Sequence, residues 1–221
     1  MDRLRHGYTN STRRSTTGVA KRYIGTCSAH RYAIELACLE SLTGHLAVPT
    51  LAAHDDGALT VEMSFVDGRH GQELIDEGHG RAMMQLLGEA NAALRSLPID
   101  SVPGLAGDGT VLVHGDFGPQ NALFDLDSGR CVLIDWEFAH VGEPVEDLAW
   151  AEWIVRTHHP RHVDIVADLL AHAGSAIGWD ERHAEMLDRC LVLLRMCESA
   201  GDRPGAATWG LRLEATEGWT S

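Results

Sequence analysis

No two cysteines in the chain form a CxxC pair, and the five present, at positions 27, 38, 131, 190 and 197, follow no regular spacing. An odd, scattered set is not a disulfide framework and points to reduced thiols in a cytosol. Cys38, Cys131, Cys190 and Cys197 lie in apolar runs, where a thiol acts as a small hydrophobe. Positive charge is scarce too: 18 Lys and Arg against 32 Asp and Glu leave a net charge of −14. That balance argues against a nucleic-acid backbone or an anionic membrane as the main partner. The longest apolar run, CLVLLRMC at 190–197, is too short to span a bilayer and contains Arg195. No apolar stretch follows Met1-Asp2-Arg3-Leu4-Arg5-His6, so no secretory signal is expected and the protein is read as soluble and cytoplasmic. Repeats and low-complexity tracts are absent.

What remains is a chain of 221 residues, long enough for one domain or two small lobes. TGVAKRYIG from residue 17 alternates like a strand and carries Lys21. Ser28 is read as the N-cap of a helix to about Leu42, with Ile34, Cys38 and Leu42 on one face and Arg31 and Glu35 elsewhere. Strands follow near 48–52 and 58–64, joined by a turn at His54-Asp55-Asp56-Gly57, and Val66-Asp67-Gly68 reads as a linker. Met83, Leu86, Leu87, Ala90, Leu94 and Leu97 recur at helical spacing over 79–97, and Pro98 ends that helix. After a Gly- and Pro-rich loop come a strand at 111–113 and a hairpin with arms 121–124 and 131–134. Pro144 suits the first position of a helix over 145–157, and further helices are expected at 162–173, 180–197 and 207–216. Strands thus dominate the first third and helices the rest. This predicts an α+β protein of two unequal lobes, 1–66 and 67–221, with a ligand cleft at their junction.

The stretch HGDFGPQNALFD (114–125) and the segment IDWEFAHVGEPVEDLAW (134–150) carry the chemistry. The hairpin brings Asn121 near Asp135, because both lie at the same end of paired strands. An amide oxygen and a carboxylate that converge there suit Mg²⁺, which shares its shell with substrate phosphates. Asp116, a short loop away, can meet a hydroxyl that attacks a phosphate. Phosphoryl transfer needs little beyond positioning and charge neutralisation. The plain alternative is that Asp, Asn, Gly and Pro here are only turn formers; two such segments at this spacing, with a Lys and a helical Glu upstream, weigh against it.

Together, His114-Gly115-Asp116, Asn121, Ile134-Asp135-Trp136-Glu137 and Gly142-x-Pro144-x-x-Asp147-Leu148-Ala149 resemble the catalytic core of the aminoglycoside phosphotransferase/choline kinase superfamily, whose fold is similar to that of the protein kinases. The resemblance extends more weakly over residues 5–215. It implies a small, mainly antiparallel β lobe with one helix and a larger, mainly helical lobe. It makes Asp116 the catalytic base, Asn121 and Asp135 the Mg²⁺ ligands, Lys21 the contact to the ATP α/β-phosphates and Glu35 its partner. Adenine would lie on the linker, at the Ser64 carbonyl and Val66 amide, with Met63 behind the ring. Thr9, Asn10 and Ser11, in HGYTNST, resemble the turn that covers the phosphates. His114 would brace the catalytic loop and Asp147 would cap a helix or steady that loop. Glu137 is read either as a cleft residue or as a solvated one.

The expected activity is ATP-dependent transfer of the γ-phosphate to a small-molecule hydroxyl on an aminoglycoside, amino alcohol or sugar. Glu146, Asp147, Glu152, Asp164, Asp168, Asp180, Glu181, Glu185 and Asp188 follow the motif and are read either as a site for a cationic acceptor or as a solvated face. His158, His159 and His162, close together, raise a metal site that no second ligand cluster supports. The alternative function is a nucleotide-binding, non-catalytic relative that acts through partners.

Overall fold

In the computed structural model, residues 10–16 and 18–221 are described. A four-stranded antiparallel sheet is built from β1 (Ser11–Arg14), β2 (Val19–Arg22), β3 (Leu51–Asp55) and β4 (Thr60–Met63) in the order β1-β2-β4-β3. Helix α1 (Ser28–Leu42) packs against β3 and β4. Its buried stripe is Arg31, Tyr32, Glu35, Cys38, Leu39 and Leu42, so Arg31 and Glu35 lie on the inward face rather than off it. Ser28 is the first helical residue, not the cap. The capping position is Cys27, in a left-handed turn at φ 56°, and no side chain caps the helix. The β3–β4 hairpin is shifted from expectation: β3 runs on to Asp55 and the turn occupies Asp56–Leu59.

The chain then leaves β4 through Ser64, Phe65 and Val66. It forms β5 (Arg69–His70), a short helix α2 (Gly71–Asp76) and α3 (Gly80–Arg95). Helix α3 buries Met83, Met84, Leu87 and Leu94, the periodic apolar face its sequence shows. Strand β6 (Val111–Val113) pairs with β9 (His140–Gly142), and the hairpin β7 (Ala122–Asp125)/β8 (Arg130–Leu133) pairs in the register Ala122↔Leu133 to Asp125↔Arg130. Helix α4 (Pro144–His158) starts with Pro144 in its first turn, and Glu143 caps it in a reciprocal capping box with Glu146. The helix expected at 162–173 is divided. A 3₁₀ segment covers Pro160–Ile165, with His162 off helical geometry, and α5 (Val166–His172) follows. Helices α6 (Trp179–Ser199) and α7 (Arg203–Glu217) pack on each other, and α6 packs on α4.

Two apolar clusters hold these parts together. The larger runs from Tyr23, Tyr32 and Leu39 through Met83, Leu87, Phe117, Phe124 and Trp136 to Leu169. The smaller, around Trp150, Trp153, Met186 and Cys190, lies among α4, α6 and α7. Helices α3 and α5 cross closely at Gly88, where an added Cβ would meet the Leu169 carbonyl at 2.5 Å and the Ala173 nitrogen at 2.9 Å. Both are backbone atoms that cannot rotate away. Gly88→Ala is therefore expected to destabilise the fold by about 1–3 kcal/mol through overpacking, outweighing the gain in helix propensity. Thermal unfolding of the variant checks this; a raised Tm would contradict the crossing.

Candidate active site

The loop from His114 to Asn121 is held from below. The Asp147 carboxylate, at the start of α4, accepts the His114 backbone N–H at 2.8 Å and the Gly115 N–H at 3.0 Å. Asp147 therefore steadies the loop and does not cap α4. Gly115 has φ 78° and abuts the Phe138 carbonyl, so a side chain there has neither the conformation nor the room. His114 is fully buried, and one ring nitrogen lies 3.0 Å from the Ile134 carbonyl. Burial pushes its pKa down to about 4 against the opposing pull of that carbonyl. It braces the loop as a neutral ring.

That neutrality has a stability consequence. Below pH 6.5 the unfolded chain takes up a proton that the folded protein refuses until about pH 4. The stabilising contribution is thus present above pH 6.5 and is lost as pH falls through that window. Complete loss would amount to about 3 kcal/mol. His114→Gln is expected to be less stable at pH 7 but to lose less on acidification to pH 4. Denaturant titrations across the range check the difference in slope; parallel pH curves would contradict it.

Asp116 presents its carboxylate to three donors. Trp150 Nε1 lies 2.7 Å from Oδ1, Gln120 Nε2 3.3 Å from Oδ1, and Asn121 Nδ2 2.7 Å from Oδ2. Burial, helped by Asp135, raises its pKa to about 6 in spite of the hydrogen bonds from Trp150 and Asn121 and the charge of Arg189. Asn121 commits its amide nitrogen to Asp116, which leaves its side-chain oxygen as the atom to offer a cation. Across the hairpin the Ile134 N–H donates to the Asn121 carbonyl at 3.0 Å. This pairing brings Asp135 to the same end of the hairpin. Asp135 is left-handed, at φ 68°, a conformation non-glycine residues seldom adopt and one that recurs at functional sites.

Lys21 meets this end from β2. Its ammonium lies 2.5 Å from Glu35 Oε2, 2.5 Å from Asp135 Oδ1 and 3.4 Å from Glu137 Oε2. Burial alone would lower the Lys21 pKa, but the carboxylates of Asp135, Glu35 and Glu137 outweigh it and hold the amine protonated. Glu35 also accepts from the Tyr23 hydroxyl, and burial holds its carboxyl above the usual range, with Lys21 pulling the other way. Glu137 is 1% exposed. It accepts from Asn10 at 2.6 Å and from Arg31 at 3.1 Å, which settles it as an interior residue. The Arg31 guanidinium also donates to the Ile24 carbonyl at 2.7 Å, tying α1 to the approach from β2.

A cavity of about 330 Å³ opens beside this cluster, lined by Lys21, Glu35, Asn121 and Asp135 and by Met63, Ser64, Phe65 and Val66 along the segment after β4. Of the expected site residues, Lys21, Glu35, Met63, Ser64, Val66, Asn121 and Asp135 line this one space, and Asp116 sits one hydrogen bond beyond Asn121. Asn10 is turned to Glu137 and Arg31, Ser11 is exposed at the start of β1, and Thr12 lines the cavity instead. Thr9 lies outside the described residues. Sequence reasoning passes over Gln120, His70 and Glu73, which also line the cavity. It also leaves Arg31 without a role, although its i, i+4 spacing to Glu35 puts both on one face of α1.

Most of the acids after Pro144 have structural partners. Glu146 pairs with His140 at 2.8 Å, Glu152 is bound by Arg156 and Arg182, and Asp164 and Asp168 hold Arg81. Glu185 lies with Glu146, Trp150 and Arg189 around a small hollow beside Gly115. His159 pairs with Asp76 at 3.0 Å and His158 lies edge-on to Trp153. Among the described residues, the one group of acids and histidines close enough to share a cation is Glu35, Asp135 and Glu137.

Comparisons with known proteins bear on the family resemblance and the fold. A sequence model of the family described as Phosphotransferase enzyme family (APH) matches residues 103–184, the span of both motifs. No curated protein matches the chain. Among solved structures, the GDP complex of wild-type aminoglycoside 2'-phosphotransferase-IIIa is 15% identical, over 97% of this chain and 91% of that one, with a TM-score of 0.79. A choline/ethanolamine kinase family protein from Mesorhizobium loti is 15% identical, over 99% and 88%, with a TM-score of 0.73. The macrolide 2'-phosphotransferase MphH from Brachybacterium faecium is 17% identical, over 96% and 91%, with a TM-score of 0.69. At these identities the likeness establishes the α+β, kinase-like fold, and the resemblance drawn from the motifs is borne out.

Proposed function

We propose that this chain binds ATP with Mg²⁺ and transfers the γ-phosphate to a hydroxyl of a small molecule. One observation carries the reading: Lys21, Glu35, Asn121 and Asp135, far apart in the chain, line a single cavity, and Asp116 is hydrogen-bonded to Asn121 at its edge. Solved structures of the same fold hold GDP with kanamycin, or ATP with streptomycin, which supports a nucleotide in the cavity and a hydroxylated acceptor beside it. In this reading residues 1–66 form the nucleotide lobe and 67–221 the catalytic and acceptor lobe.

The roles follow from the chemistry of the donors. Met63, Ser64 and Val66 receive the base, and the Lys21 ammonium, aimed by Glu35, neutralises phosphate charge. The Asn121 oxygen and the Asp135 carboxylate are hard ligands that fit Mg²⁺, which when bound offsets charge on the phosphate oxygens. Asp116 orients the acceptor hydroxyl and takes its proton; the raised proton affinity of its carboxyl suits a base at neutral pH.

The acceptor is identified by incubating the protein with Mg²⁺-ATP and a panel of aminoglycosides, amino alcohols, sugars and nucleosides. A new phosphomonoester resonance in ³¹P NMR, formed as ADP appears, is the expected result. ATP bound but never consumed with any acceptor would favour the non-catalytic alternative.

A further inference from the structure

The hydrogen bond from Trp150 to Asp116 is not part of either sequence motif's assigned chemistry, and its surroundings show how it is held. Trp150 stands in the second turn of α4. Its ring stacks on Trp153 at 4.6 Å between centroids and 4° between planes, and Trp209 from α7 lies 5.5 Å from Trp153 and 6.3 Å from Trp150. Trp153 Nε1 donates to Thr216 Oγ1 at 3.0 Å, and the Arg212 guanidinium covers Trp209 at 4.5 Å. From α6, Arg189 donates to the Gly115 carbonyl at 2.6 Å and lies 5.4 Å from the Trp150 ring. Three helices therefore fix one indole plane, and its single N–H points at Asp116 Oδ1. Asn121 holds the other oxygen, Oδ2. Trp150 from outside the catalytic loop, with Gln120 and Asn121 from within it, thus anchors the carboxylate through both oxygens and sets its rotation about the Cβ–Cγ bond.

We propose that Trp150 is a positioning residue for Asp116: its indole N–H fixes the rotamer in which the carboxylate faces the acceptor hydroxyl, and α6 and α7 contribute to catalysis through the aromatic stack that holds it. The inference rests on the reading of Asp116 as the base. A phosphoryl acceptor must be presented in line, and small misplacements of the presenting group cost large factors in rate. A positioning role acts on turnover and leaves ground-state nucleotide binding alone.

Two measurements on the full chain test this. Trp150→Phe keeps an aromatic ring in the stack on Trp153 and removes the N–H donor along with the fused five-membered ring. Its Mg²⁺-ATP hydrolysis, with water as acceptor, should fall about 10–100-fold in kcat with KM for ATP nearly unchanged. The chain has six tryptophans, so indole N–H resonances can be assigned one by one. Asp116→Ala, which leaves Trp150 in place, should move the Trp150 indole proton upfield and leave the other indole protons near their positions. An unmoved Trp150 resonance, or wild-type turnover in Trp150→Phe, overturns the proposal. A fall in kcat matched by a rise in KM for ATP also overturns it, because the damage would then extend to the nucleotide cavity. Wild-type protein that binds Mg²⁺-ATP without any turnover would contradict the phosphotransferase reading instead, while the resonance still decides the hydrogen bond.

Discussion

Asp116→Asn is expected to lower turnover by about 10²–10⁴ while Mg²⁺-ATP binds almost as before. The change keeps the side chain's size and one carbonyl oxygen, so the loop should survive. What disappears is the atom that, in the proposed reading, accepts the acceptor's proton, and with it the charge that Trp150 and Asn121 are arranged to meet. Asp116 does not line the cavity beside Lys21, whereas Asn121 and Asp135 do; in the proposed reading this separation is why rate and affinity should part. Steady-state rates and calorimetric ATP titration on the same preparation check it. Full turnover in Asp116→Asn would remove that residue from the chemistry, and lost ATP binding would mean that the loop had collapsed.

Lys21→Met is expected to be the most destabilising change at the site, costing about 3–5 kcal/mol near pH 8, the usual result of removing one partner from a buried ion pair. The ammonium is the cation among carboxylates of Glu35, Asp135 and Glu137 whose oxygens lie within 4.8 Å of one another. Arg31 still serves Glu137 when Lys21 is gone, but Glu35 and Asp135 then face each other without it. Burial already raises the Glu35 carboxyl above its ordinary range, and Lys21 is the main force opposing that rise. Without Lys21 the folded protein binds a proton there more tightly still. A carboxyl raised in this way contributes stability below its unfolded pKa and loses it as pH rises through the folded value. The deficit of Lys21→Met should therefore shrink between pH 8 and pH 5. Denaturant midpoints at the two pH values, with ATP titration of the refolded variant, test this. A variant as stable as the wild type at pH 8 would contradict the buried pairing.

Much of the site is legible in the order of the residues alone. The motifs at 114–121 and 134–149 specify the hairpin, its register end and the convergence of Asn121 with Asp135, because a two-strand hairpin leaves few alternatives. Helices α3 and α4 are legible from apolar periodicity and from Pro144. The start of α1 is not, because Ser28 has the chemistry of a cap while the backbone places the left-handed turn at Cys27. The inward face of α1 is hidden from periodicity as well: it carries Glu35, which only the resemblance pairs with Lys21, and Arg31, which belongs inside because Glu137 comes from elsewhere to meet it. Lys21 on its own reads as an exposed strand residue, and only the resemblance gives it a role; the structure buries it beside Glu35 and Asp135. The Trp150 hydrogen bond lies beyond sequence reading altogether, since it depends on how α4 docks on the loop.

The phosphotransferase reading stands or falls with a magnesium-dependent triphosphate site formed by Asn121 and Asp135 with Lys21. The decisive measurement is calorimetric titration of ATP into the wild-type protein and into Asp135→Ala, each with Mg²⁺ and again with EDTA. The wild type should bind, and its binding should weaken sharply when Mg²⁺ is withdrawn; Asp135→Ala should bind weakly whether or not Mg²⁺ is present. Equal affinity with and without Mg²⁺, or an Asp135→Ala variant that binds Mg²⁺-ATP like the wild type, would contradict such a site.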